Sequence, residues 1–124
     1  MKIYISHSSK FNYKEELYVP LGQVFVNTNH TLIYPHFETT NPFPSKQLFI
    51  SKQCDAILAE ISIPSTGQGI ELGWADMCDI PLIYLIKKDV KISGSLRLLS
   101  SDIIVYDQLS NTKEKLLEII DRVK

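Results

Sequence analysis

Five short runs rich in apolar residues, Lys2–Ser6, Thr31–Pro35, Ala56–Ile61, Leu82–Lys87 and Asp102–Tyr106, recur along the chain with helical patterns between them. That alternation constrains the fold more than any other feature. Strands separated by a helix's length of chain run parallel and are joined by crossover helices. Several of the runs are apolar at nearly every position, as a strand must be when both faces of its sheet are covered. Five strands and five helical segments predict an α/β fold: a five-stranded parallel doubly wound sheet in the flavodoxin-like order 2-1-3-4-5. In that order the winding reverses between strands 1 and 3, and a crevice opens at their carboxyl ends. Two loops meet there, Ser6-His7-Ser8-Ser9 and Ser62–Gln68.

The intervening segments carry helix signals. Asn12 with Glu15 has the spacing of a capping box, after which Leu17, Tyr18, Leu21, Val24 and Phe25 repeat at helical intervals. Pro20 is expected to kink or split that helix, because it has no N–H to donate. Ser45–Gln53 and Gly69–Asp79 read as helices, and Asn111 with Glu114 as a second capping box before Leu116, Leu117, Ile120 and Val123. On a helical wheel of Gly69–Asp79, the stripe Ile70, Trp74, Met77 and Cys78 is expected against the sheet. Leu72 falls on the polar side, as an exposed leucine or a subunit contact.

Composition narrows the partner. With 124 residues the chain fits one domain, 1–124. A formal net charge of −1 leaves no cationic surplus to hold a nucleic-acid polymer, so a small molecule is the expected ligand. The longest apolar run, Pro81–Ile86, is too short to cross a bilayer, and the first residues lack a signal-peptide pattern. A cytoplasmic protein is expected, with the NxT triplet at Asn29 unglycosylated. Cys54 and Cys78 lack metal-ligand spacing and read as buried free thiols. No metal site and no cofactor are expected.

The run Pro64-Ser65-Thr66-Gly67-Gln68-Gly69-Ile70-Glu71-Leu72-Gly73 reads as a strand-to-helix elbow. Gly67 and Gly69 permit unusual backbone conformations and close approach of a ligand. The following helix aims free N–H groups at an anion or hydroxyl in the crevice. Glu71 falls in the expected first turn, where the dipole favours a carboxylate by roughly 0.3–1 kcal/mol. Spacing alone leaves two readings open: an ordinary dipole-matched glutamate, or a carboxylate placed to attack or stabilise a sugar centre.

Together with Cys54-Asp55-Ala56-Ile57-Leu58-Ala59-Glu60-Ile61-Ser62 and Trp74-Ala75, this element resembles the nucleoside 2-deoxyribosyltransferase superfamily, closest to its 2′-deoxynucleoside 5′-phosphate N-hydrolase branch. The likeness runs from Ile3-Tyr4-Ile5 to Val105-Tyr106-Asp107 and is most specific in the centre. It implies cleavage or transfer at the N-glycosidic bond of a (deoxy)nucleoside or (deoxy)nucleotide, by an enzyme that is a homodimer. By the same resemblance Glu71 is the nucleophile, Ser65 binds a 5′-phosphate beside Gly67 and Gly69, and Tyr4 lies in the active site. Ser95 matches a serine contributed by the neighbouring subunit.

Two departures stand out. Ungapped alignment puts Gln47 where the family has a catalytic aspartate, and an amide is no general acid. The first loop, glycine-rich in the family, here reads Ser6-His7-Ser8-Ser9-Lys10, from which His7, Ser8, Ser9 and Lys10 remain as ligand contacts. Glu38, His7 and Asp55 are candidate replacements for the acid, each with a plain structural alternative. The lost acid also suggests a second function, a catalytically impaired nucleotide-binding module. A third follows from Tyr4-Ile5-Ser6-His7-Ser8-Ser9, which resembles the first strand of Toll/interleukin-receptor (TIR) domains, some of which cleave NAD. Lys87, Lys88, Lys91 and Arg97 cluster after strand 4 as a phosphate contact or a solvated surface.

Overall fold

A computed structural model describes residues 1–37 and 42–123. Its sheet has five strands in the order β2-β1-β3-β4-β5, formed by β1 (Lys2–His7), β2 (Thr31–Ile33), β3 (Ala56–Glu60), β4 (Leu82–Lys87) and β5 (Ile103–Tyr106). Every pairing is parallel. The expected architecture and strand order are both met. β2 ends two residues short of expectation, pairing only through Ile33 opposite Tyr4, and the chain turns at Pro35 and His36.

Alternation along the strands builds two cores. Ile3 and Ile5 of β1 face α1 (Val19–Val24) and α5 (Lys113–Val123), packing with Leu17, Leu21, Leu116 and Ile120. Tyr4, between them, faces α2 (Ser45–Ile50) and α3 (Thr66–Met77), packing with Phe49, Leu72 and Ala75. A sheet covered on both sides needs apolar residues at successive positions, which is why these strands read as unbroken runs.

The helix carrying Pro20 is divided as expected, and the geometry shows how. Lys14–Tyr18 form a π-turn in which the Val19 N–H donates to the Lys14 carbonyl. The wider turn lets the helix pass the proline, whose missing donor would break regular α-helical pairing. Asn12 touches Glu15, Nδ2 to Oε2 at 3.3 Å, but its side chain caps no helix N–H. Asn111 is taken up in a 3₁₀ turn, Leu109–Thr112, that leads into α5. A short α4 (Gly94–Arg97) lies between β4 and β5.

Two expectations about the central helices are corrected. α2 stops at Ile50, not Gln53: Ser51 Oγ donates to the Gln47 and Leu48 carbonyls, and Lys52 turns left-handed at φ 58°. The correction to α3 matters more. It starts at Thr66, three residues before the expected Gly69, with Ser65 as N-cap accepting from the Gln68 N–H at 3.3 Å. Its packing face is also the reverse of the wheel reading. Leu72 and Ala75 are fully buried, whereas Ile70 is 50% exposed, Trp74 37% and Met77 83%. Leu72 is therefore a core residue, not a subunit contact.

Candidate active site

The carboxyl ends of β1 and β3 carry the site, as the winding reversal requires. Tyr4 is buried, and its hydroxyl donates to Glu71 Oε2 at 2.8 Å across to α3. Burial, then the adjacent Glu71 charge, hold the Tyr4 hydroxyl far above the ordinary tyrosine range. It stays a proton donor, fixing one oxygen of the carboxylate. A hydrogen bond to a charged group of this kind contributes on the order of 1.5–3 kcal/mol.

Glu71 and Tyr4 line a cavity of about 270 Å³ together with His36, Phe43, Ser45 and Trp74. Its walls combine the rings of Tyr4, His7, His36, Phe43 and Trp74 with the polar groups of Ser9, Ser45, Ser65, Gln68 and Glu71, flat surfaces for a heterocycle beside hydrogen-bonding groups that can orient it. A larger hollow of about 920 Å³ lies on the other side of the α3 N-terminus, lined by Lys10, Lys91, Thr66, Ser93 and Ser95 among others. Ser65, Gly67 and Gln68 belong to both. Size favours the larger space, but chemistry favours the smaller, because only it contains the carboxylate.

Because α3 starts at Thr66, Glu71 lies in its second turn, and the first turn holds no acid. The dipole falls off within one turn, so Tyr4, not the dipole, is what organises this carboxylate. Gly67 and Gly69 are helical with no positive φ. The expected unusual backbone is therefore not used. A Cβ at either would meet nothing within 4 Å, so both leave the helix face open.

Other expected residues divide. Ser65, Gly67, His7 and Glu71 meet at the smaller cavity, and Ser95 lies across the larger one from Ser65 within the same chain. Ser8 does not reach either cavity. It is buried, with Oγ accepting the Lys10 N–H at 3.1 Å, while Ser9 lines the smaller cavity instead. Gln47 is exposed on α2 and outside the lining; Ser45, two residues earlier, is the buried residue of α2 at the cavity. Lys87 pairs with Glu16 at 3.8 Å, whereas Lys91 faces the larger hollow.

Of the candidate replacement acids, Glu38 lies outside the described residues. Asp55 is at the opposite end of its strand, accepting the Lys2 N–H at 2.7 Å. His7 is held neutral: burial, partly offset by the Ser8 bond, lowers it to about 4. Its Nδ1 donates to the Ser8 carbonyl at 2.7 Å, and its Nε2 accepts from the Tyr18 hydroxyl at 2.6 Å. It is a wall, not a proton source near neutrality.

Glu60, which sequence reasoning passed over, ends β3 almost fully buried. Its Oε1 accepts the Ser62 N–H at 2.6 Å, Oε2 accepts the Tyr106 hydroxyl, and its carbonyl takes the Gln68 side-chain amide at 2.9 Å. Burial and the Glu60 contact raise the Tyr106 hydroxyl above its ordinary range. A carboxylate inside an otherwise apolar strand was the available signal. His36 was also missed; it lies just past β2, at the same edge of the sheet.

Burial pushes the Cys54 thiol up to about 11, while Cys78 is only partly buried; both are free. Among the described residues no cluster of three His, Cys, Asp or Glu is grouped to hold a metal. No helix among them is long and apolar enough to cross a membrane.

No protein-family model matches the chain. In sequence it is 36% identical over 76 residues to "Putative 2'-deoxynucleoside 5'-phosphate N-hydrolase 1" of Methanosarcina mazei, a match covering 61% of this chain. That match spans about half of the relative's length, 47%. In structure it is similar to a Clostridium botulinum CMP N-glycosidase, with TM-score 0.66, 20% identity, and coverage of 94% of this chain and 98% of that one. A 2-deoxyribosyltransferase from Bacillus psychrosaccharolyticus gives TM-score 0.59 at 16% identity, covering 91% and 90%. The likeness to the N-hydrolase is thus one of sequence over part of the chain, and the likeness to the glycosidase and the deoxyribosyltransferase is one of fold.

Proposed function

From a chain that shares its fold with an N-glycosidase and a deoxyribosyltransferase, we propose an enzyme that cleaves or transfers at the N-glycosidic bond of a nucleoside or nucleotide. The observation that carries this reading is the Tyr4–Glu71 pair at the wall of a cavity that also presents the rings of Phe43, His36 and Trp74. Tyr4 occupies Oε2, and Oε1 attacks the anomeric carbon as the base departs, giving a glycosyl ester. Water or a second base then takes the sugar. Pyrimidine or purine stacks among Phe43, His36 and Trp74. A 5′-phosphate extends past Ser65 and Gly67 into the larger hollow, where Lys10 and Lys91 supply positive charge.

A second copy of the chain is the proposed partner. The exposed Ile70, Trp74 and Met77 stripe on α3 supports that reading in place of Leu72. The alternative, a nucleotide-binding module without turnover, has one observation in its favour: Glu71 is the only acid among the described residues lining the smaller cavity.

Chromatography of bases released from deoxynucleosides, ribo- and deoxynucleotides and NAD tests the proposal. Release by the wild type that Glu71→Ala abolishes is the expected result. Nucleotide-dependent thermal stabilisation without release would leave only the binding module.

A further inference from the structure

Ser65, Gly67 and Gln68 are common to both cavities. With the base in the smaller space and the 5′-phosphate in the larger, the sugar that joins them crosses this seam. The three residues meet it differently. Gly67 brings no side chain. Ser65 accepts the Gln68 backbone N–H at Oγ and keeps a hydroxyl proton to donate, which suits a phosphate oxygen. Gln68 brings the opposite. Its side-chain Nε2 donates to the Glu60 carbonyl at 2.9 Å. A carbonyl takes only a donor, so this bond fixes which end of the amide is nitrogen and leaves Oε1 as an acceptor.

That oxygen is neither paired nor sealed off. Among the described residues Oε1 has no hydrogen-bond partner, and the buried side-chain atoms without one are Ser6 Oγ and His36 Nδ1. Solvent therefore reaches the Gln68 oxygen, although the residue is only 6% exposed. The little surface it keeps lies in the two cavities that it lines. A carbonyl oxygen placed there repels a phosphate, whose oxygens are acceptors, and binds a donor. On a nucleotide the donors are the sugar hydroxyls and the N–H groups of the base.

Helix geometry selects the hydroxyls. Gln68 and Glu71 are three residues apart on α3 and share one face, with Gln68 nearer the elbow. Side chains at that spacing start about 5–6 Å apart, a gap that a furanose ring can bridge. In a β-nucleoside the 2′- and 3′-hydroxyls lie on the ring face opposite the base. A carboxylate that displaces the base in line approaches on that same face, so the hydroxyls meet the helix that carries it. We infer that Gln68 determines sugar specificity: its Oε1 accepts a hydrogen bond from a ring hydroxyl, and the Glu60 carbonyl holds the amide in place. This deepens the glycosidase reading and rests on its placement of base and phosphate.

The test measures kcat/KM for base release from cytosine and uracil nucleoside 5′-phosphates and their 2′-deoxy and 3′-deoxy analogues. Wild type, Gln68→Met and Gln68→Asn are compared; the asparagine keeps an amide but withdraws it by one methylene. A 2′-hydroxyl also slows departure of the base by withdrawing electrons, and the ratio of variant to wild type cancels that effect. Loss of the tie to Glu60 lowers all the substrates alike, so differences among them isolate the contact. Each variant is expected to lose about 10–100-fold more on substrates that carry the bound hydroxyl than on the analogue that lacks it. The analogue that escapes identifies the hydroxyl. Equal losses on all the substrates, or losses that separate cytosine from uracil instead, would overturn the inference. No release by the wild type from any of them would sink the glycosidase reading. The inference would then be decided by nucleotide-dependent melting shifts on the same series, where Gln68→Met must erase the difference between hydroxyl and deoxy forms for it to stand.

Discussion

Two tyrosine–glutamate pairs sit at the same edge of the sheet and differ in what surrounds them. Tyr106 donates to Glu60, and Tyr4 donates to Glu71. Glu60 is 4% exposed, and both its oxygens are claimed, one by the Ser62 N–H and one by Tyr106. Glu71 is only partly buried, and the Tyr4 hydroxyl holds one of its oxygens at a cavity wall. The same donor–acceptor pair is thus fully satisfied as a staple at Glu60, and at Glu71, the nucleophile we propose, it leaves one oxygen without a hydrogen-bond partner among the described residues at the cavity wall. Hydrogen-bond completeness, more than residue type, separates the two roles.

Exchanging the roles by mutation gives the largest expected effects. Glu71→Gln keeps the size and the Tyr4 bond but removes the proposed nucleophile, so base release should fall by about 10³-fold or more, with the melting temperature nearly unchanged. Glu60→Ala should do the reverse. It leaves two buried donors without acceptors, an expected loss of about 2–5 kcal/mol in denaturant unfolding. Glu60→Gln should recover part of it, since the Tyr106 oxygen can accept from an amide. A Glu71→Gln variant that retained activity, or a Glu60→Ala variant as stable as the wild type, would break the comparison.

The sequence exposed the frame of this arrangement better than its details. Strand order followed from alternation and length, because burial on both faces leaves so plain a mark. The α3 reading failed on two physical points. Gly67 and Gly69 suggested a loop, yet Ser65 and Gln68 have the S-x-x-Q spacing of a capping box and start the helix at Thr66. The wheel then chose the more apolar stripe, Ile70, Trp74 and Met77, whereas the sheet receives Leu72 and Ala75. Periodicity ranks faces by hydrophobicity, and a helix that keeps its more apolar stripe at the surface, as α3 does, defeats that ranking. His36 was hidden for a different reason: the winding reversal points to the ends of β1 and β3, whereas Pro35 and His36, just past β2, line the same cavity.

A third tyrosine hydroxyl, Tyr18, donates to an imidazole instead of a carboxylate, and this pair should be read out by pH. His7 binds its proton far less readily in the folded state, at about 4 against an ordinary 6.5. The unfolded chain therefore takes up a proton first as pH falls. Stability from this site is complete above pH 6.5 and is lost progressively toward pH 4, by about 3 kcal/mol on the linkage relation. Urea midpoints measured across that range should slope upward with pH in the wild type and flatten in His7→Gln. An equal slope in both would place the pH dependence elsewhere.

The finest discrimination comes from removing single hydroxyls. Tyr106→Phe and Tyr4→Phe delete the same atom from the two pairs, and each should cost about 1–2 kcal/mol of stability. Catalysis should separate them. Without its donor, Glu71 is free to rotate, and a nucleophile displaced by an ångström loses rate steeply. Tyr4→Phe is expected to lower kcat roughly 10–100-fold. Tyr106→Phe acts on the site only through the Glu60 staple and the Ser62 loop, so its effect should fall on KM for 5′-phosphorylated substrates, by a few-fold. If Tyr106→Phe lowered kcat as much as Tyr4→Phe, the Glu60 pair would belong to the reacting groups after all.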